Sequence, residues 1–189
     1  MSTRLSAALL LTITPLLLFV ACSTPQQRAR KELDQKGFQF TEQAFVDSAS
    51  KGDGDAVKLF LAAGVNGNAM NSDGKPALVV ATLGGNEAMV DDLLDGRADI
   101  NIRSKDGQTP LMGAAVNGNT RIVNILLSRG ADMNVKDSHE FTALMYADSA
   151  SKSEVRAVLV KAGAQDWHPG PSETPAKPIP LPKKKLERS

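Results

Sequence analysis

A period of 33 residues constrains this chain more than any other feature. Residues 73–103, DGKPALVVATLGGNEAMVDDLLDGRADINIR, align over residues 106–136, DGQTPLMGAAVNGNTRIVNILLSRGADMNVK. Gly74 falls on Gly107, Leu78 on Leu111, Gly85 on Gly118, Asn86 on Asn119, and Leu93-Leu94 on Leu126-Leu127. One step back sets Gly52 under Gly85 and Gly64 under Arg97. One step forward sets Thr142 on Thr109, Leu144 on Leu111 and Gly163 on Gly130. Four units at a fixed step of this length are stacked supersecondary pieces, each unable to bury its apolar face without its neighbours.

Each unit reads as two short helices and a turn. Thr109 is a helix N-cap, and Pro110 follows at the one helical position that tolerates proline. Ala114 and Ala115 are small enough for adjacent helices to approach, and Gly118 ends the first helix. Asn119 caps a second helix, as Asn86 and Asp53 do in the units before it. That helix carries Ile122, Val123, Leu126 and Leu127 on one face, an amphipathic pattern. Gly130 supplies the left-handed residue that closes it. An extended stretch, 132–136, leads to the next unit, and Asp-Gly at 73–74 and 106–107 makes a tight turn.

GQTPLMGAAVNGN and LLSRGADMN resemble the ankyrin repeat, whose pattern runs D-G-x-T-P-L-H-x-A-A-x-x-G and closes on L-L-x-x-G-A-D-V-N. The resemblance covers residues 41–168, as four repeats at about 41–71, 72–104, 105–137 and 138–168. It implies an all-α solenoid of paired helices with hairpin fingers along one side. Three departures stand out. Val79, Met112 and Met145 replace the family's His, removing its polar tie between repeats. Arg97 occupies the left-handed position one place after Gly96, so either the helix ends early or a non-glycine residue is strained there. Arg156 and Asp148 replace apolar residues in the last unit, as expected of a polar terminal cap. Upstream, RARKELDQKG at 28–37 spaces Leu33 from Gly37 as Leu126 is spaced from Gly130. This predicts a lone second helix capping the N-terminal end. Beyond Trp167, expected to pack over the last repeat, six prolines in residues 169–189 predict a disordered, polyproline-type tail.

The first 21 residues have the layout of an export signal: Arg4 in a short positive region, then an apolar run from Ala7 to Val20. That run is too short to span a bilayer as a helix. It ends at Cys22, the only cysteine of 189 residues. Phe19-Val20-Ala21-Cys22 resembles the lipobox of bacterial lipoproteins, with Phe19 where Leu is usual. This implies lipidation of Cys22 and a membrane anchor; an ordinary signal cut near Ser23 is the alternative. Ser23 after the cysteine, instead of Asp, implies the outer membrane, with the protein facing the periplasm.

Charge and motifs bound the chemistry. The chain has 22 basic and 21 acidic residues, distributed as +2 over 22–40, −5 over 41–168 and +3 over 169–189. An acidic body and a basic tail without aromatic residues argue against nucleic acid as the partner. A single cysteine excludes an internal disulfide framework. His139 and His168 lack metal-ligand spacing, so no metal or other cofactor is expected. No phosphate-binding, nucleophile-elbow or zincin motif occurs, and Asp91, Asp92 and Asp95 read as a solvated face. No enzyme and no small-molecule substrate is expected.

The ankyrin resemblance instead implies a protein partner bound on finger tips and the exposed faces of first helices. Carried over by position, that surface comprises Ser72, Asp73, Lys75 and Leu83 in the second unit. Arg103, Lys105, Gln108, Val116 and Asn117 follow in the third, and Lys136, Ser138, His139 and Phe141 in the fourth. Met112 and Tyr146 lie on nearby helix faces. Phe141 and Tyr146 are the expected anchors, because aromatic residues dominate interface energetics. Three readings stay open: a binding module of the bacterial envelope, a regulator or immunity-type inhibitor of an exported enzyme such as a cell-wall hydrolase, and a scaffold.

Overall fold

The computed structural model describes residues 24–165; the segment expected to be an export signal, Cys22, Trp167, His168 and the proline-rich tail lie outside them. Among the described residues nine helices follow in order: α1 Pro25–Gln35, α2 Glu42–Lys51, α3 Gly54–Ala62, α4 Ala77–Gly84, α5 Glu87–Asp95, α6 Pro110–Asn117, α7 Thr120–Ser128, α8 Ala143–Ser149 and α9 Ser153–Lys161. Among the described residues the only β feature is an isolated bridge between Met70 and Pro76. None of these helices is long and apolar enough to cross a membrane.

The helices stack in two rows. First helices α2, α4, α6 and α8 pack side by side, and second helices α3, α5, α7 and α9 form a parallel row. The repeat chemistry sets each boundary. Thr41, Thr109 and Thr142 accept the N–H groups of Ala44, Met112 and Met145, while Asp53, Asn86 and Asn119 do the same for the second helices. Between the rows lies one continuous core. Phe45, Leu78, Leu111 and Leu144 from first helices meet Phe60, Leu93, Leu126 and Leu159 from second helices, all buried. Ala114 and Ala115, fully buried, let neighbouring first helices approach closely. Thr82 stands where Ala115 does one repeat later. Its hydroxyl donates to the Val79 carbonyl at 2.9 Å and fits because Gly113 faces it: a Cβ at 113 would lie 2.6 Å from Thr82 Oγ1.

Arg97 resolves in favour of strain. Helix α5 ends at Asp95 with Gly96 at φ −75, and Arg97 is left-handed at φ 65, at the position where Gly64 and Gly130 take φ 92 and 89 in the repeats on either side. Gly96 is glycine for a different reason: a side chain there would run into Leu61. Glu140 and Ser151, at φ 64 and 55, likewise stand where Gly107 and Gly118 stand one repeat earlier.

The missing histidine tie has a substitute elsewhere in the repeat. Asn68, Asn101 and Asn134 present Oδ1 to the backbone N–H of Asp99, Asp132 and Gln165 in the next repeat, at 2.7, 2.8 and 3.3 Å. These three asparagines, one period apart, lace the loops that follow the second helices. On the second-helix row, Asp91, Asp92 and Asp95 lie partly or fully on the solvent side, as expected, and are also ion-paired to the neighbouring repeats. Arg129 bridges Asp95 at 2.8 Å and Asp91 at 2.9 Å, and Lys58 pairs with Asp92 at 3.0 Å. The acidic α5 is thus held by cations from both neighbouring repeats, and its bond to Asp95 raises the Arg129 pKa further.

Both ends of the stack are closed. Helix α1 packs on α3 in the second-helix row through buried Ala29 and Leu33. Beside it, the rings of Phe38, Phe40 and Phe45 gather around Phe60, with the Arg30 guanidinium 4.2 Å over Phe40. At the other end Arg156 pairs with Asp148 at 2.8 Å. Arg156 stands in the column of Val57, Val90 and Val123, and Asp148 in that of Ala49, Thr82 and Ala115, all of them buried.

Candidate protein-binding surface

Each finger is built on one polar side chain at its base, and these recur at the repeat period as Asn71, Ser104 and Asp137. Asn71 Oδ1 accepts the N–H groups of Asp73 and Lys75 at 3.1 and 2.9 Å. Ser104 Oγ accepts from Gln108 at 3.1 Å. Asp137 Oδ1 accepts from His139 and Phe141 at 2.8 and 3.0 Å. Gly74 and Gly107 turn the chain in the left-handed region. Adjacent fingers are joined by backbone bonds from Lys105 N–H to the Gly74 carbonyl and from Ser138 N–H to the Asp106 carbonyl, at 2.9 and 3.0 Å. The tips therefore form one rigid row.

On that row Ser72, Asp73, Arg103, Lys105, Lys136, Ser138 and His139 are exposed, and Lys75 and Gln108 are half-buried. Two of the charged groups already have partners. Arg103 Nη2 donates to the Lys136 carbonyl at 2.7 Å, and Lys136 Nζ pairs with Glu140 at 2.9 Å. On the first helices Leu83 and Val116 are half-buried and Asn117 is exposed. Half-buried Val80 joins them, a residue that the sequence reading omitted. Gln43 was also omitted; its Oε1 accepts the Ser72 N–H at 2.8 Å and fixes the finger of the second repeat against α2.

Met112 and Tyr146 do not belong to the exposed surface, a correction to the expected contact set. Met112 is 2 % exposed, wedged in the first-helix row. Tyr146 is 4 % exposed, and its hydroxyl donates to Asp137 Oδ2 at 2.6 Å while accepting from Gln108 Nε2 at 3.1 Å. Phe141, half-buried, rests its ring 5.9 Å from that of Tyr146. Burial, reinforced by the Asp137 hydrogen bond, pushes the Tyr146 hydroxyl up to about 12. Asp137 has no exposed side-chain surface, and its carboxylate is satisfied by two N–H groups and one O–H, with exposed His139 Nδ1 at 3.8 Å. The expected aromatic anchor is thus largely an internal bolt tying the fourth finger to α8. A signal for it existed: Asp137 continues the column of Asn71 and Ser104.

The described residues contain no group of three or more His, Cys, Asp or Glu able to hold a metal. What they offer is shape: a finger row of mixed charge beside an apolar strip of Val80, Leu83 and Val116 on the first helices.

Comparison with the curated proteins finds no match. The family model for ankyrin repeats, in three copies, matches residues 45–137 and 89–168. Those spans cover more than half of the chain and coincide with the stacked helix pairs and fingers. The chain belongs to the ankyrin-repeat family.

Proposed function

We propose that this chain is a non-enzymatic binding module of the bacterial envelope, held at a membrane by lipid on Cys22 and facing the periplasm. Ankyrin repeats are generally a non-enzymatic protein–protein interaction domain. The observation that carries the binding reading is the largely exposed finger row beside a half-buried apolar first-helix strip, while every described buried side-chain polar atom is satisfied internally. Such a preorganised concave face binds with little ordering cost. The contact set is Ser72, Asp73, Lys75, Leu83, Lys105, Val116, Asn117, Ser138 and His139, with Val80 added. Envelope placement is supported by the export-type segment and by Phe19-Val20-Ala21-Cys22.

Two experiments test this. Capture of envelope proteins by the parent is compared with capture by a Leu83→Arg, Asn117→Arg variant of equal urea midpoint. The partner bound by the parent is expected to drop at least tenfold, and undiminished capture overturns the placement of the interface. Cys22→Ala is expected to move the protein from the membrane to the soluble fraction, and unchanged membrane association removes the anchor. Activity assays on the captured partner then separate an inhibitor of an exported enzyme from a scaffold.

A further inference from the structure

Helix α1 differs from the rest of the stack in charge. Residues 24–36 carry four cations, Arg28, Arg30, Lys31 and Lys36, against Glu32 and Asp34, a net +2. Residues 37–165 carry 12 basic and 16 acidic residues, a net −4. Arg30 is committed to the fold, donating to the Ala63 carbonyl at 3.3 Å and stacking on Phe40. Arg28, Lys31 and Lys36 are exposed. With Gln35, and with Glu32 paired to Lys36 at 3.4 Å, they make an exposed, predominantly basic stretch along the helix.

The start of this helix is fixed. Thr24 Oγ1 accepts the Gln27 N–H at 3.3 Å, the Gln27 side chain accepts the Thr24 N–H at 3.0 Å, and Pro25 occupies the first turn. Cys22 stands two residues before this cap, and two extended residues reach roughly 7 Å. A lipid on Cys22 would therefore hold α1 at the headgroup layer, where the effective concentration of any surface contact is high.

We infer that the exposed basic stretch of α1 meets the phosphate headgroups of an anionic bilayer, so that the stack stands with its N-terminal end against the membrane and its finger row clear of it. This rests on the reading of Cys22 as the lipid-bearing residue. Basic residues beside a lipid anchor gain from the negative surface potential, and the gain is screened by salt. The acidic remainder of the stack is repelled by the same potential, which favours the α1 end as the one that docks.

The test does not depend on cellular lipidation. Because Cys22 is the only cysteine, the chain from residue 22 onward can be coupled through it to a maleimide lipid in vesicles. Hydrogen exchange at the α1 amides is then compared on phosphatidylcholine alone and on phosphatidylcholine with about a third phosphatidylglycerol. Exchange is expected to slow about threefold or more on the anionic vesicles, to lose that slowing in high salt, and to lose it in an Arg28→Glu, Lys31→Glu variant. Equal exchange on the two vesicle types overturns the inference, as does slowing that survives both salt and charge reversal. Equal slowing by inorganic phosphate without vesicles would also overturn it, since the site would then be one for free anions. Should the reversed variant unfold, the salt titration of the parent still decides. A Cys22→Ala protein that stays with cell membranes would defeat the anchor reading while leaving this measurement intact.

Discussion

Replacing Tyr146 with Phe tests the claim that the fourth finger is bolted to α8 from within. The substitution keeps the ring and its contact with Phe141 but removes one O–H. Asp137 Oδ2 then loses its 2.6 Å donor, and Gln108 loses its acceptor. Asp137 has no exposed side-chain surface, so water cannot replace that donor without opening the finger. Hydrogen bonds to charged groups contribute about 1.5–3 kcal/mol, so the expected loss is about 2 kcal/mol, or about 4–8 °C in Tm for a domain of this size. Urea and thermal melts followed by circular dichroism measure both. The same bond has an alkaline signature. Tyr146 is the only tyrosine in the chain, so absorbance near 295 nm reports it alone. Its hydroxyl is raised from the ordinary 10.0 to about 12, first by burial and then by the bond to Asp137. A raised folded-state pKa means that the stability tied to this proton is complete below about pH 10 and disappears as pH climbs toward 12. The parent is expected to titrate near 12 when folded and near 10 in urea. Its stability difference from the Phe variant is expected to shrink across that window. A folded midpoint near 10, or a cost for Tyr146→Phe below about 0.5 kcal/mol, would refute the internal role.

Arg97→Gly relieves a left-handed residue without touching the core, and a gain of about 1 kcal/mol in urea stability is expected; an unchanged or lower midpoint would mean that the position is unstrained. Gly113→Ala drives a Cβ to 2.6 Å from Thr82 Oγ1, with an expected cost of about 1–3 kcal/mol. Most of that cost should return in the Thr82→Ala, Gly113→Ala double variant, and additive costs would place the clash elsewhere. The Arg156→Val, Asp148→Ala variant restores the apolar columns of the inner repeats at the end of the stack. It is expected to raise self-association in analytical ultracentrifugation, and a monomer at all concentrations would deny the pair its capping role.

The fold was legible because its determinants are local and repeated. A threonine or asparagine before an apolar run, a glycine one turn past it and a pair of small alanines each fix one boundary or one close approach, and the period confirms each reading against three others. What stayed hidden depends on the next repeat. The asparagine ladder of Asn68, Asn101 and Asn134 bonds to residues 31 places onward, a partner visible only once the stack is built. The pairing of Arg129 with Asp91 and Asp95 across 38 and 34 places is hidden in the same way. So is the depth of Tyr146, which a position-by-position transfer put on the surface and the Asp137 carboxylate draws inside.

The repeats can also be compared with one another, column by column, and this separates stacking from recognition. Columns that face the core agree: Phe45, Leu78, Leu111 and Leu144 in one, Val57, Val90 and Val123 in another, each buried. The column on the concave floor does not agree, running Asp47, Val80, Gly113 and Tyr146, and the finger columns Ser72, Lys105, Ser138 and Lys75, Gln108, Phe141 vary as widely. Burial against a neighbour requires one size and polarity at each step, so a column in which charge, aliphatic group, glycine and aromatic ring alternate is not set by the stack alone. Local pairing explains two of these differences, Gly113 by the Thr82 hydroxyl and Tyr146 by Asp137. Val80, with Leu83 and Val116 in the column that Ser50 and Ser149 begin and end, is apolar because it packs against the core, but packing does not fix which aliphatic residue stands there. Lys105 and Ser138 are exposed and nothing in the stack requires them, so the variation that stacking leaves open falls on the face proposed to meet the partner.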